Sequence, residues 1–134
     1  AEALTEFARV LRPGGRVAIL WNERDRADAM TTAYRDAIRA VGGDHPAEMR
    51  EFDPGVIARS RRYGPVRCVE VPNSQRLDED GLIGRAMSAS YVPKEGPRRE
   101  ELVGSLRGIV RRFGDAAGTV TMRYVTRVWL VEKI

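Results

Sequence analysis

The stretch Arg9-Val10-Leu11-Arg12-Pro13-Gly14-Gly15-Arg16-Val17-Ala18-Ile19-Leu20-Trp21-Asn22 constrains the fold of this chain more than any other. Leu4, Phe7, Ala8 and Leu11 recur at the spacing of one helical face. Pro13 cannot continue that helix, and Gly14 and Gly15 accept the positive φ angles of a sharp reversal. Val17 to Trp21 is apolar on both faces, the pattern of a strand covered by helices above and below. Helix, turn and buried strand in this order predict one α-to-β step of a doubly wound α/β sheet.

Composition sets the scale. The chain has 134 residues, 43% of them apolar, which suits a single domain with one core. It is short for a complete doubly wound sheet, because each parallel crossover takes a dozen or more residues. One cysteine, Cys68, excludes an internal disulfide and fits a reducing cytoplasm. One histidine, His45, leaves no cluster with zinc-ligand spacing. There is no apolar run near 18 residues and no signal-peptide core. The net charge of +4 comes from 23 basic and 19 acidic residues. Arginines cluster at Arg59-Ser60-Arg61-Arg62, Arg98-Arg99 and Arg111-Arg112, a pattern open to RNA binding or to plain solvation of helices.

Further along, Met30, Ala33, Tyr34, Ala37, Ile38 and Val41 form a helical stripe that Asp25 or Asp28 can cap and Gly42-Gly43 stops. Asp44 to Gly64 is polar and reads as a surface excursion with a short helix near Val56 to Ser60. Val66 to Val71 predicts an edge strand ended by Pro72. Asp78 can cap the next helix, with acidic residues in its first turn and Leu77 stapled onto Leu82. Leu82, Ile83, Ala86 and Met87 share a face, before the turn Ser88-Ala89-Ser90-Tyr91-Val92-Pro93. A helix from about Pro97 turns Leu102, Leu106, Ile109, Val110 and Phe113 inward. From Thr119 to Val131, Val120, Met122, Tyr124, Val128 and Leu130 alternate with Thr119, Thr121, Arg123 and Arg127, predicting a long strand.

Three motifs carry a resemblance: the Arg9 to Asn22 string followed by Arg24-Asp25, the Ser88 to Val92 turn, and Tyr124-Val125-Thr126. With these, the chain resembles the C-terminal half of a class I S-adenosylmethionine-dependent methyltransferase, in the type 11 or trans-aconitate methyltransferase-like branch. The resemblance covers nearly the whole chain. It implies a partial Rossmann-like methyltransferase fold, α/β, with a mixed sheet in order 5-7-6, flanking helices and an antiparallel last strand. Arg16 to Trp21 would be strand five, Val66 to Val71 strand six and Thr119 to Val131 strand seven. Residues 1–134 would form a single domain whose N-terminal cofactor-binding half lies elsewhere, since only eight residues precede Arg9. There is no Gly-x-Gly-x-Gly loop after a strand and no acidic residue ending a second strand to hold a ribose.

The cofactor of the intact enzyme would be S-adenosylmethionine, with none expected on this chain alone, and the chain alone is expected to be inactive. Ligands of open α/β sheets bind beyond the carboxyl ends of the strands. The resemblance therefore places Trp21, Asn22, Arg24 and Asp25 on the acceptor-substrate side, with Arg24 a fork for an anion. A packed Trp21, and capping roles for Arg24 and Asp25, are the competing readings. Ser88, Ser90 and Tyr91 would sit on a lid over a small-molecule acceptor, or on an ordinary helix-ending turn. Tyr124 and Thr126 are expected in the core, His45 on a loop and Cys68 packed in a strand. Neither a general base nor any other catalytic residue can be named. Strand five without its usual neighbour has an open edge, which predicts a homodimer or docking on the missing N-terminal half. The alternative function is a non-catalytic α/β dimerisation or partner-binding domain.

Overall fold

The computed structural model describes residues 2–46 and 52–134. Eight elements alternate along them: α1 (Glu2–Val10), β1 (Arg16–Arg24), α2 (Ala29–Gly42), α3 (Gly55–Arg59), β2 (Arg67–Leu77), α4 (Glu79–Met87), α5 (Pro97–Phe113) and β3 (Val120–Glu132). The class is α/β, with one three-stranded sheet in order β1-β3-β2. The last strand thus lies in the middle. It runs antiparallel to β1, since Gly14 N–H donates to Lys133 O and Asp25 N–H to Arg123 O. Its other side is also antiparallel, with Tyr63 bridged to Lys133 and Gly64 N–H donating to Glu132 O. The expectation of a mixed sheet is therefore corrected: β1 and β2 never pair with each other, because β3 separates them. Pro72 does not end β2, which continues to Leu77. An edge strand has one side without ladder partners, so a residue lacking N–H is tolerated there.

The chain divides into two compact units, the first being Ala1–Glu23, Glu51–Pro72 and Val125–Ile134. Its core is Leu4, Ala8, Val17, Ile57, Tyr63 and Val131, with Leu11, Ile19, Phe52, Val56 and Val66 packed against it. The buried Tyr63 hydroxyl donates to Leu4 O at 2.6 Å, and Phe52 packs tilted on Trp129 at 4.7 Å between ring centres. At the predicted turn only Gly14 takes a positive φ, +75°. Gly15 is required for a different reason: a Cβ there would lie 2.8 Å from Arg12 O. The Lys133 ammonium donates to Leu11 O at 2.7 Å, satisfying a carbonyl just past the end of α1. The expected double covering of Val17 to Trp21 is not found. Val17 is buried, whereas Leu20 is 62% and Trp21 38% exposed. β1 is an outer strand of the sheet, and among the described residues of its unit the helices are the short α1 and α3. Phe7, expected on the buried face of α1, is likewise exposed.

The second unit is Arg24–Arg50 and Asn73–Tyr124. Met30, Tyr34, Ile38 and Val41 of α2 pack with Leu82 and Ala86 of α4, Leu102, Leu106 and Ile109 of α5, and Val120, Met122 and Tyr124 of β3. Of the two capping candidates Asp28 is the N-cap: its carboxylate accepts from Thr31 N–H at 2.9 Å and from the Thr31 hydroxyl at 2.7 Å. Gly43, at φ +71°, closes the helix. Asp78 caps α4 by accepting from Gly81 N–H at 2.8 Å, and the stapling pair Leu77 and Leu82 is buried in one cluster.

The burial alternation of β3 changes parity. Val120, Met122 and Tyr124 are buried in the second unit, but Trp129 and Val131, not Val128 and Leu130, are buried in the first. A period-2 pattern cannot record which face is covered when both faces carry apolar residues, as they do from Val128 to Val131. Cys68, expected to pack in its strand, is exposed. Because Asp28 satisfies two donors at one helix start, Asp28→Ala is expected to destabilise the chain by about 1–2 kcal/mol. Urea denaturation should show it as a lower midpoint with an unchanged slope.

Candidate functional site

The carboxyl end of β1 is held by its neighbour strand. Asp25 N–H donates to Arg123 O at 2.9 Å, and Arg123 N–H donates to the Thr31 hydroxyl at 3.3 Å. The Arg123 guanidinium lies 3.4 Å from the Asp28 carboxylate. These bonds lock the start of α2 to the start of β3 and so determine where Arg24 emerges. Its guanidinium carbon sits 5.2 Å from the ring centre of Tyr34, within cation–π range. Asp25 is a turn-former: its carboxylate accepts from Ala27 N–H at 2.9 Å. Trp21 and Asn22 belong to the first unit, where Asn22 Oδ1 accepts from the Thr126 hydroxyl at 2.7 Å. Thr126, expected in the core, is half-buried instead.

The turn after α4 is buttressed on several sides. Ser88 is the C-cap of α4, and its hydroxyl donates to Arg85 O at 2.7 Å. The Lys94 ammonium donates to Met87 O and Ala89 O. Tyr91 stacks on His45 with ring centres 4.3 Å apart and planes 11° apart. Gly42 permits this approach, since a Cβ there would lie 3.3 Å from Tyr91 O. Ser90 is exposed. The turn from Ser88 to Val92 is thus pinned by its neighbours, and His45, read as a loop residue, supplies one of the pins.

Tyr124 is 7% exposed and lies in the second core, its hydroxyl 2.9 Å from Met122 Sδ. Burial pushes its phenol above the usual tyrosine range, while the nearby Arg85 and Arg24 charges oppose the shift. Arg85 of α4 sits 5.4 Å from the Tyr124 ring centre. Arg85 was not among the residues singled out from sequence. The signal was present, since Arg85 follows Leu82 by three positions and adjoins Ala86 on the buried face of α4.

In the first unit Arg127 of β3 joins both neighbouring strands, with Glu23 at 2.7 Å and Glu70 at 2.7 Å. The hydrogen bond to Glu70 and the charge of Glu23 hold its guanidinium yet more firmly protonated. A cleft of about 420 Å³ in the same unit is lined by Arg9, Arg61, Arg62 and Lys133 beside Thr5, Ala8 and Ile134. None of the site residues expected from sequence lines it. Within the arginine clusters, Arg59 pairs with Asp53, Arg98 reaches the carbonyls of Ala40 and Val41, and Arg112 lies over Phe113. Among the described residues no group of three His, Cys, Asp or Glu is placed to hold a metal ion, and no helix is long and apolar enough to cross a membrane.

No known protein family matches the chain, and no curated protein matches it either. Among solved structures it is similar to the YcgJ protein from Bacillus subtilis, at 14% identity and a TM-score of 0.46. The match covers 98% of this chain and 56% of that one, so the chain spans little more than half the length of its structural neighbour.

The phenols of Tyr63 and Tyr124 are both raised by burial. A group whose pKa is raised on folding contributes its stability below the unfolded pKa, here about 10, and loses it as pH rises through the folded value. Absorbance titration should therefore show a late-ionising fraction among the four tyrosines, accompanied by alkaline unfolding. Tyr124→Phe is expected to remove part of that fraction.

Proposed function

We propose that this chain is the acceptor-side part of an S-adenosylmethionine-dependent methyltransferase acting on a small molecule. The observation that carries the reading is the sheet order β1-β3-β2, in which the final strand enters between two earlier ones and runs antiparallel to both. The resemblance implies an order 5-7-6, and the order β1-β3-β2 supports reading the three strands in that way. The rim at the carboxyl end of β1 supports it further, because open α/β sheets bind ligands there and Arg24 emerges at that end.

The residues present do not fit the cofactor. Nucleotide-holding glycines follow a strand and open a helix, whereas Gly14-Gly15 follow α1 and open β1, and Gly42-Gly43 close α2. No step of methyl transfer is therefore assigned to a residue of this chain. Transfer from a sulfonium depends chiefly on alignment of acceptor and donor. What these residues contribute is a pinned acceptor wall: Arg24 over Tyr34, and Tyr91 over His45.

Calorimetric titration of S-adenosylmethionine into the chain alone is expected to release no binding heat. The complete product of its gene should bind the cofactor and transfer label from methyl-tritiated S-adenosylmethionine to small-molecule acceptors. A complete product without a strand–glycine-loop–helix segment, or without cofactor binding, would overturn the reading.

A second reading, a non-catalytic α/β module that self-associates, is favoured by one observation. β1 is an outer strand of the described sheet, and Leu20 on it, with Phe7 and Val10 on α1, is exposed. An apolar strand with an open edge is a template for a second copy of itself. Light scattering is expected to report twice the mass of a single chain, and Leu20→Lys should restore the monomer. A monomer at high concentration in the unsubstituted chain would exclude the association.

A further inference from the structure

The arginine cluster from Arg59 to Arg62 has no role in the acceptor-side reading. Arg61 and Arg62 line the cleft of about 420 Å³ in the first unit, together with Thr5 and Arg9 of α1 and Lys133 just past β3. Three segments meet there, and each is tied to another. The buried Tyr63 hydroxyl donates to Leu4 O of α1, Ile134 N–H donates to Arg62 O at 3.2 Å, and the Lys133 ammonium reaches Leu11 O. Arg61 holds a left-handed φ of +53°, uncommon outside glycine. The cations differ in what they already hold. Arg59 pairs with Asp53, and Arg9 with Glu6 on its own helix. Arg61 and Arg62 are exposed, and among the described residues neither guanidinium meets a carboxylate or a carbonyl. The described lining carries four cationic side chains and no acidic one. Like charges gathered in one concavity repel each other and concentrate a counter-ion.

We propose that this cleft binds the phosphate group of a small molecule, with Arg61 and Arg62 as its principal donors. A guanidinium presents a planar fork of N–H groups that matches phosphate oxygens bidentately. The Thr5 hydroxyl adds a neutral donor, and the Lys133 ammonium has N–H groups beyond the one given to Leu11 O. The volume is that of a small-molecule site, whereas nucleic-acid backbones are held along extended basic grooves. Lys133 pairs through its backbone with Gly14 and Gly15, so the cleft lies at the amino end of β1, and Arg24 leaves the carboxyl end. S-adenosylmethionine carries no phosphate. The site is therefore separate from the methyltransferase reading and does not depend on it.

The test is a titration of the full, nitrogen-15-labelled chain with glycerol 3-phosphate, at ionic strength held constant with sodium chloride. The Nε–Hε resonances of Arg61 and Arg62 and the backbone amide of Thr5 are expected to shift saturably, and inorganic phosphate should compete for them. Arg61→Gln and Arg62→Gln should each weaken the apparent affinity about tenfold, while Arg112→Gln, in the other unit, leaves it unchanged. Should Arg61→Gln not fold, Arg61→Gly suits the positive φ and removes the fork, and it too should lose affinity. Shifts that never saturate, an affinity indifferent to Arg62→Gln, or succinate binding as tightly as glycerol 3-phosphate would each overturn the proposal. So would a single-stranded RNA oligomer that binds more tightly than glycerol 3-phosphate, with an affinity rising with length and falling steeply with salt, since the cleft would then serve a nucleic-acid backbone. The titration needs no methyl donor, and its outcome is independent of any transfer activity.

Discussion

A strand in the middle of a sheet must find hydrogen-bond partners on both sides, and β3 is that strand here. Its lateral bonds reach Gly14 and Asp25 on one side and Gly64 on the other. Its side chains enter both cores: Val120, Met122 and Tyr124 one, Val131 the other. Without β3 neither β1 nor β2 has a neighbour in the sheet. Arg127 adds a lateral tie to Glu23 and Glu70, but ion pairs this open to solvent contribute little to stability. Backbone pairing and apolar burial hold the sheet; the ion pairs align it.

The same strand organises the rim. Because Arg123 is bonded through its backbone to Asp25 and Thr31, and through its side chain to Asp28, the start of α2 cannot drift from the start of β3. Arg24 and Tyr34 are consequently brought to the side of the core that holds Tyr124 and Arg85. Around the turn after α4, Lys94, His45 and Gly42 play a comparable part for Tyr91. Side chains held this way have little conformational freedom left to lose on binding a ligand.

Elements with local signals were legible before any coordinates. The stripe of α2, the Asp78 cap with its Leu77–Leu82 staple, the glycine turn after α1 and the length of β3 all depend on contacts between near neighbours in the chain. Pro72 misled, because a proline stops a central strand but not an edge one, and which strand is an edge is not a local property. Cys68 and Leu20 misled in the same way: their apolar strands looked covered, and whether a strand is covered depends on what packs over it. The place of Arg24 at the end of the first strand was legible. The partnership of Arg85 with Tyr124 was not, for it joins α4 to β3 across 39 positions.

By itself the sequence determined the alternation of helices and strands, the caps and the reversals, since these follow from backbone freedom, short-range hydrogen bonds and apolar periodicity. Only the tertiary structure decided which face of β3 is buried at each end, which cation lies on which ring, and that Asp25 shapes a turn while Asp28 caps a helix. Those outcomes depend on long-range packing, in which one residue's surroundings are supplied by segments far from it along the chain.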